Sequence, residues 1–193
     1  MNRNELEHII RAAGEIAKVE KVIILGSQSI LAQFPNLSEP LSDSSGTEIS
    51  LMIRNREILL RSIEADIMIP DSKKKTEMVE GTIGELSSFH HTFGYYAQGV
   101  DLNTSKLPDG WESRLVEICN ENTYAVSGLC LEIHDLIVSK LYAGRQKDIE
   151  FFRAATNLGL ISKGTLTERI NKTSISGVRK DMIESYIKKE FSQ

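Results

Sequence analysis

Two short groups of residues in this chain have types and spacing that suit chemistry. The first is Gly26-Ser27, which closes the apolar run Val22-Ile23-Ile24-Leu25 and leads into Gln28-Ser29-Ile30-Leu31-Ala32-Gln33-Phe34. A buried strand that turns through glycine into a helix leaves backbone N–H groups without partners, and these favour an anion such as phosphate. Glycine lets the backbone come close to that anion, and the serine adds a hydroxyl donor. The second group is Glu64-Ala65-Asp66. On a strand its two carboxylates point to one side, about 6 to 7 Å apart, near enough to hold a hard divalent cation such as Mg²⁺ or Mn²⁺. Taken singly, Gly-Ser also suits a plain turn, and Glu-x-Asp also suits a solvated strand face. The flanking Ile63, Ala65, Ile67 and Ile69 favour a core strand, where two anions without a cation are costly.

The elements that must position these groups follow from periodicity. Leu6, Ile9, Ile10, Ala13, Ile16 and Ala17 predict an amphipathic helix over 4–19 with Asn4 as its cap. Residues 22–26 read as a strand buried on both faces, and 27–34 as a helix. Leu37 to Gly46 is dense in turn formers and the pattern stays weak to about Ser62, which predicts a loop or an excursion. Residues 63–69 alternate as a strand that Pro70 stops. A helix capped near Asp71 or Ser72 follows, then strands around 97 and 117. Beyond Leu131 the spacing predicts helices over about 132–143, 146–158, 165–171 and 176–190. The expected fold is α/β (α+β): a mixed sheet flanked by helices over 1–130, with a helical C-terminal region, 131–193, packed on that core.

Bulk properties bound the rest. A chain of 193 residues holds one ordinary domain, or one α/β core with a helical appendage. With 40% hydrophobic and 26% charged residues it is neither a disordered nor a fibrous composition. The formal charge of −4 argues against a surface that is a nucleic-acid footprint throughout, so a polyanion would meet a local patch. Lys73-Lys74-Lys75 is one candidate patch, and otherwise a solvated face. Cys119 and Cys130, without a CxxC or a Cys/His cluster, read as packing residues in a reducing compartment. The polar N-terminus lacks a signal peptide's apolar core and no run nears the roughly 18 apolar residues of a membrane span, which predicts a cytoplasmic protein without membrane attachment.

The order of strand, Gly-Ser, helix and acidic-x-acidic strand resembles the DNA-polymerase-β-like nucleotidyltransferase superfamily. More closely, GSQSILAQFP (26–35), SIEADI (62–67), FHHTFGYYAQGV (89–100), LPDGWESRLV (107–116) and HDLIVSKLYAGRQKD (134–148) together resemble a bacterial family of small nucleotidyltransferase-like proteins. That family is distantly related to the toxin components of abortive-infection toxin–antitoxin pairs, and the similarity runs from about residue 5 to residue 170. The resemblance implies transfer of a nucleotidyl group from an NTP to an RNA or protein hydroxyl, in a toxin setting with a cognate antitoxin as partner. Glu64 and Asp66 would hold Mg²⁺ or Mn²⁺, and Gly26 and Ser27 the outer phosphates.

Other positions fit around this expectation. Ile133, Leu136, Ile137 and Lys140 share a helical stripe that puts an ammonium on the core face. The resemblance implies that Lys140 contacts triphosphate; a lysine stem that snorkels past the core edge is the other reading. Asp148 shares a face with Phe151, Phe152 and Ala155 and suits orienting Lys140 or a nucleotide ribose. Arg145 and Lys147, after the helix-breaking Gly144, suit phosphate or an exposed basic turn, and Asp135 suits a helix N-terminal dipole. Superfamily members often add a third acid from a later strand; the candidate is Asp101, which equally suits a turn entry. Glu64 stands where most transferases have Asp. Residues 41–62 read as an insertion beside the site that could gate it. His90 resembles a recurrent family position, while Trp111, Tyr95 and Tyr96 read most simply as core or strand residues. The alternative function is a catalytically inactive nucleotide- or partner-binding module of a toxin–antitoxin-like system.

Overall fold

The computed structural model describes residues 1–40 and 47–192. In chain order the elements are α1 (Arg3–Ala17), β1 (Lys21–Ile24), α2 (Ile30–Gln33), α3 (Thr47–Leu60), β2 (Glu64–Met68), α4 (Lys73–Ile83), α5 (Ser88–Phe93), β3 (Tyr96–Gly99), β4 (Val116–Ile118), β5 (Ser127–Cys130), α6 (Ile133–Ala143), α7 (Gln146–Asn157), α8 (Lys163–Asn171) and α9 (Gly177–Glu190). They fall into two compact units. One comprises Met1–Glu39, Leu60–Ser105 and Arg114–Glu132, and the other Pro40–Leu59, Lys106–Ser113 and Ile133–Gln193. No helix among the described residues is long and apolar enough to cross a membrane.

The first unit carries a five-stranded mixed sheet in the order β3-β2-β1-β5-β4. β1 runs antiparallel to β2 and parallel to β5, β2 runs parallel to β3, and β4 runs antiparallel to β5. Its first helix starts at Asn2, whose side chain accepts from Glu5 N at 3.0 Å while Glu5 Oε2 accepts from Asn2 N at 2.7 Å. That reciprocal box makes Asn2 the cap rather than Asn4. Asn4 also has an acid three residues on, but Glu7 is buried and bonded to Arg3, Asn120 and Asn122, so it cannot close a box. Likewise Ser72, whose Oγ accepts from Lys75 N at 3.4 Å, is the cap of α4, and Asp71 is not.

Register decides which residues face α1. A Cβ on Gly128 would meet Ile10 of α1, and Gly128 pairs with Val22, so Val22 and Ile24 share that face. Ile24 pairs with Ile67, which puts Ala65 and Ile67 on the α1 side and Glu64, Asp66 and Met68 on the opposite side. The buried set confirms the alternation: Val22, Ile24, Ala65 and Ile67 are 0% exposed. Ile63 is 47% exposed and precedes the strand, so the core stripe expected to begin there begins at Ala65.

The second unit is helical. α6 packs against α7 and α8, with Phe152, Leu166 and Ile183 fully enclosed. Gly144, at φ +65°, ends α6 and lets α7 start two residues later. Here the loop expected between Pro35 and Ser62 is corrected: Thr47–Leu60 is a helix of 14 residues. Of its residues only Asn55 and Leu59 are buried, and Leu51, Met52 and Ile53 are 54%, 40% and 45% exposed. Its apolar residues therefore form no single stripe, and helix-favouring Glu, Leu, Met and Arg sustain it instead. Residues 41–46 of that stretch lie outside the described residues.

Candidate functional site

The Gly-Ser turn is built by the end of β1. Leu25 N donates to Asp66 O at 3.0 Å, which carries the β1–β2 ladder one step past Ile24. Gly26 is extended (φ −92°, ψ −167°) and a single 3₁₀ turn, Ser27–Ser29, follows before α2. Ser29 ties the turn down, its N–H bonding Gly26 O at 3.0 Å and its Oγ donating to Ile24 O at 2.7 Å. The helix expected over 27–34 is thus a 3₁₀ turn and one α turn. Glycine is needed here for space, since its φ suits any residue. A Cβ at position 26 would sit 2.6 Å from Asp66 Cγ and 2.8 Å from Asp66 Cβ. The Asp66 carboxylate therefore lies directly against the bare Gly26 Cα.

Glu64 stands two residues earlier on the same face of β2 and is half-buried, as is Asp66. Its Oε2 accepts a hydrogen bond from Tyr96 Oη at 3.1 Å. The parallel register puts Tyr96 opposite Glu64 and Gln98 opposite Asp66. Burial pushes the Tyr96 phenol up to about 12, with the Glu64 bond and the charges of Glu64, Glu85 and Asp66 adding to it, so at neutral pH it is a donor. Behind Tyr96, the His90 ring lies at 4.7 Å and accepts from Leu86 N through Nδ1 at 3.1 Å. Tyr96 is 7% exposed, as its reading as a core residue expects, yet it also touches the site. Its role was visible in the sequence only as a spacing: Tyr96-x-Gln98 mirrors Glu64-x-Asp66, and only the parallel pairing brings the two together.

Asp101 lies two residues past the end of β3. Its Oδ1 accepts from Asn103 N at 2.8 Å, capping the turn Leu102–Thr104, and it lines a cavity of about 380 Å³ with Met68, Thr76, Glu80 and Leu102. Neither Glu64 nor Asp66 belongs to that cavity's walls. On β3 the positions beside the carboxylate pair are Tyr96 and Gln98, and Gln98 Nε2 donates to Glu80 Oε1.

In the second unit Lys140, Arg145 and Asp148 form one cluster. Asp148 is fully buried and accepts from Lys140 Nζ at 3.4 Å through Oδ1 and from Arg145 Nε at 2.6 Å through Oδ2. The Lys140 ammonium also lies 4.4 Å from the Phe151 ring centre. Asp148 thus pairs with Lys140, one of the two partners left open for it in the sequence. Asp135, also fully buried, pairs with Arg169 Nε at 3.2 Å between α6 and α8.

Donor chemistry bears on which cation would fit. Among the described residues no group of three or more His, Cys, Asp or Glu side chains is arranged to hold a metal. Glu64 and Asp66 supply two hard oxygen donors on one strand face, a set that suits Mg²⁺ when phosphate oxygens and water complete the octahedron. Burial pushes the Cys130 thiol up to about 12, which disfavours its thiolate, and Cys119 is free and exposed. A family model described as "Nucleotidyltransferase of unknown function (DUF6036)" matches residues 4–192 of the chain. The chain matches no curated protein and no solved structure.

Proposed function

The chain belongs to this family of nucleotidyltransferases, and from that premise we propose that it transfers a nucleotidyl group from an NTP to a hydroxyl of RNA or protein. The observation that carries the reading is the contact of Asp66 with Gly26, with Glu64 on the same face of β2. An acid that lies against a glycine turn suits a metal-bound polyphosphate, because the turn's N–H groups and the cation neutralise the same anion. Gly26 and Ser27 bind the outer phosphates, and Glu64 and Asp66 face the reacting end. A divalent cation held there would neutralise phosphate charge and align the attacking oxygen. The acceptor oxygen bonds to the α-phosphorus, the bond to the β-phosphate oxygen breaks, pyrophosphate leaves and the hydroxyl proton passes to water. Within the second unit, Lys140 and Arg145, aligned by Asp148, have the chemistry of a phosphate-binding pair.

One observation favours a second reading. Gln98, not an acid, stands opposite Asp66, and Asp101 caps its own turn. A module that binds NTP without transferring it would look the same at these positions. Labelled NTPs with Mg²⁺ or Mn²⁺, offered with total RNA and with cell protein, separate the two. Incorporation that Asp66→Ala and Gly26→Ala both abolish supports transfer. Binding alone, seen as a rise in Tm with NTP and metal that Asp66→Ala removes, supports the second reading; at 100-fold excess over Kd it amounts to about 2.7 kcal/mol. Neither incorporation nor a shift with any of the four NTPs would sink both.

A further inference from the structure

We propose that Tyr96 is a positioning residue for Glu64, its hydroxyl holding one carboxylate oxygen so that the other is presented to a phosphate-bound divalent cation. The inference rests on the reading of Glu64 as a metal ligand. A glutamate has one more rotatable bond than an aspartate, and on a half-buried strand face it still has several rotamers open to it, so a fixed donor set needs something to hold it. Tyr96 Oη donates to Glu64 Oε2 at 3.1 Å, and among the described residues no hydrogen bond is made to Glu64 Oε1. The tether is short and rigid because the two residues are direct partners across the parallel β2–β3 ladder.

Tyr96 is itself fixed from behind. It is 7% exposed, and the His90 ring lies against it at 4.7 Å and 49°. His90 is held in turn at both ends: its Nδ1 accepts from Leu86 N at 3.1 Å and its own N–H donates to Ser87 Oγ at 3.1 Å, at the start of α5. A series of contacts thus runs from the α5 cap to the carboxylate. An aspartate at 64 would end one methylene short of the hydroxyl, so the glutamate and the tyrosine form a matched pair.

The test uses the full chain and Mn²⁺ alone, titrated by water-proton relaxation. Tyr96→Phe keeps the ring and removes the bond, and it should weaken Mn²⁺ binding about tenfold. Glu64→Asp also weakens binding, and in that background Tyr96→Phe should change nothing further, because the shortened carboxylate no longer reaches the hydroxyl. An unchanged Mn²⁺ affinity in Tyr96→Phe, or an equal loss in both backgrounds, overturns the proposal and leaves Tyr96 a packing residue. Near-UV circular dichroism and Tm check that each variant folds. If Glu64→Ala itself leaves Mn²⁺ binding intact, the metal-ligand reading fails and the proposal with it. If Glu64→Ala abolishes binding and Tyr96→Phe does not disturb it, only the proposal fails.

Discussion

At the scale of single residues, charge placement separates the two acidic groups. Glu64 and Asp66 are half-buried on a strand face, and Asp148 is sealed, with Lys140 and Arg145 bonded to it. Removing a partner from a buried pair costs more than the pair contributes, because the remaining charge is stranded in a medium of low polarity. Asp148→Ala should therefore destabilise the protein by about 3 kcal/mol in urea unfolding, as Lys140 is only 10% exposed, and Asp148→Asn should cost less because it keeps an acceptor. An Asp148→Ala variant as stable as the parent would mean that the ammonium finds water by snorkelling. The residues themselves were legible: the helical spacing that put Lys140 and Asp148 on core faces is what the structure shows. Their pairing was one of two options left open for Asp148, since spacing within a helix does not decide pairing between two helices.

At the scale of elements, small residues decide how closely α1 and the sheet approach. Gly14 faces Val126, and Gly128 on β5 faces Ile10, with no room for a methyl at either position. Gly128→Ala would put a carbon 2.8 Å from Ile10 Cγ1, so α1 must shift or Ile10 must leave its rotamer. We expect a loss of about 1–3 kcal/mol, measured as a lower urea midpoint with unchanged slope. Gly128 also explains why β5 escaped sequence reading: Ser-Gly-Leu-Cys has no β-branched residue and is a strand because β1 and β4 pair with it on both sides. β1 and β2, in contrast, announce themselves through Val, Ile and alternation. Helix α3 was missed for the opposite reason, since its intrinsic preference is helical but its exposed apolar residues give no periodic face.

At the scale of the whole molecule, His8 should give stability a dependence on pH. His8 on α1 packs against the rings of Phe89 and Phe93 at 5.0 and 4.7 Å and hydrogen-bonds Tyr95 Oη at 2.8 Å. Burial, with a smaller contribution from Arg11, lowers its pKa in the folded state. The unfolded chain, with a histidine near 6.5, then binds more protons than the folded one below about pH 6.5, and stability falls as pH drops through that value. His8→Gln, which keeps a polar group but cannot take a proton, should flatten the urea midpoint below pH 6.5; an unaltered slope would rule His8 out as its source. By itself, the sequence determined the mixed α/β class, the Gly26-Ser27 turn, the Glu64-x-Asp66 strand and the helices from Ile133 onward, because each is written in local periodicity or in the few residue types a local geometry accepts. Only the tertiary structure decided that Asp66 rests on Gly26, that Tyr96 bonds Glu64, that Gln98 rather than an acid pairs with Asp66, and that Asp101 accepts from Asn103 N. Those facts follow from which strands lie side by side and in what register, and pairing between segments far apart in the chain leaves no local mark on either one.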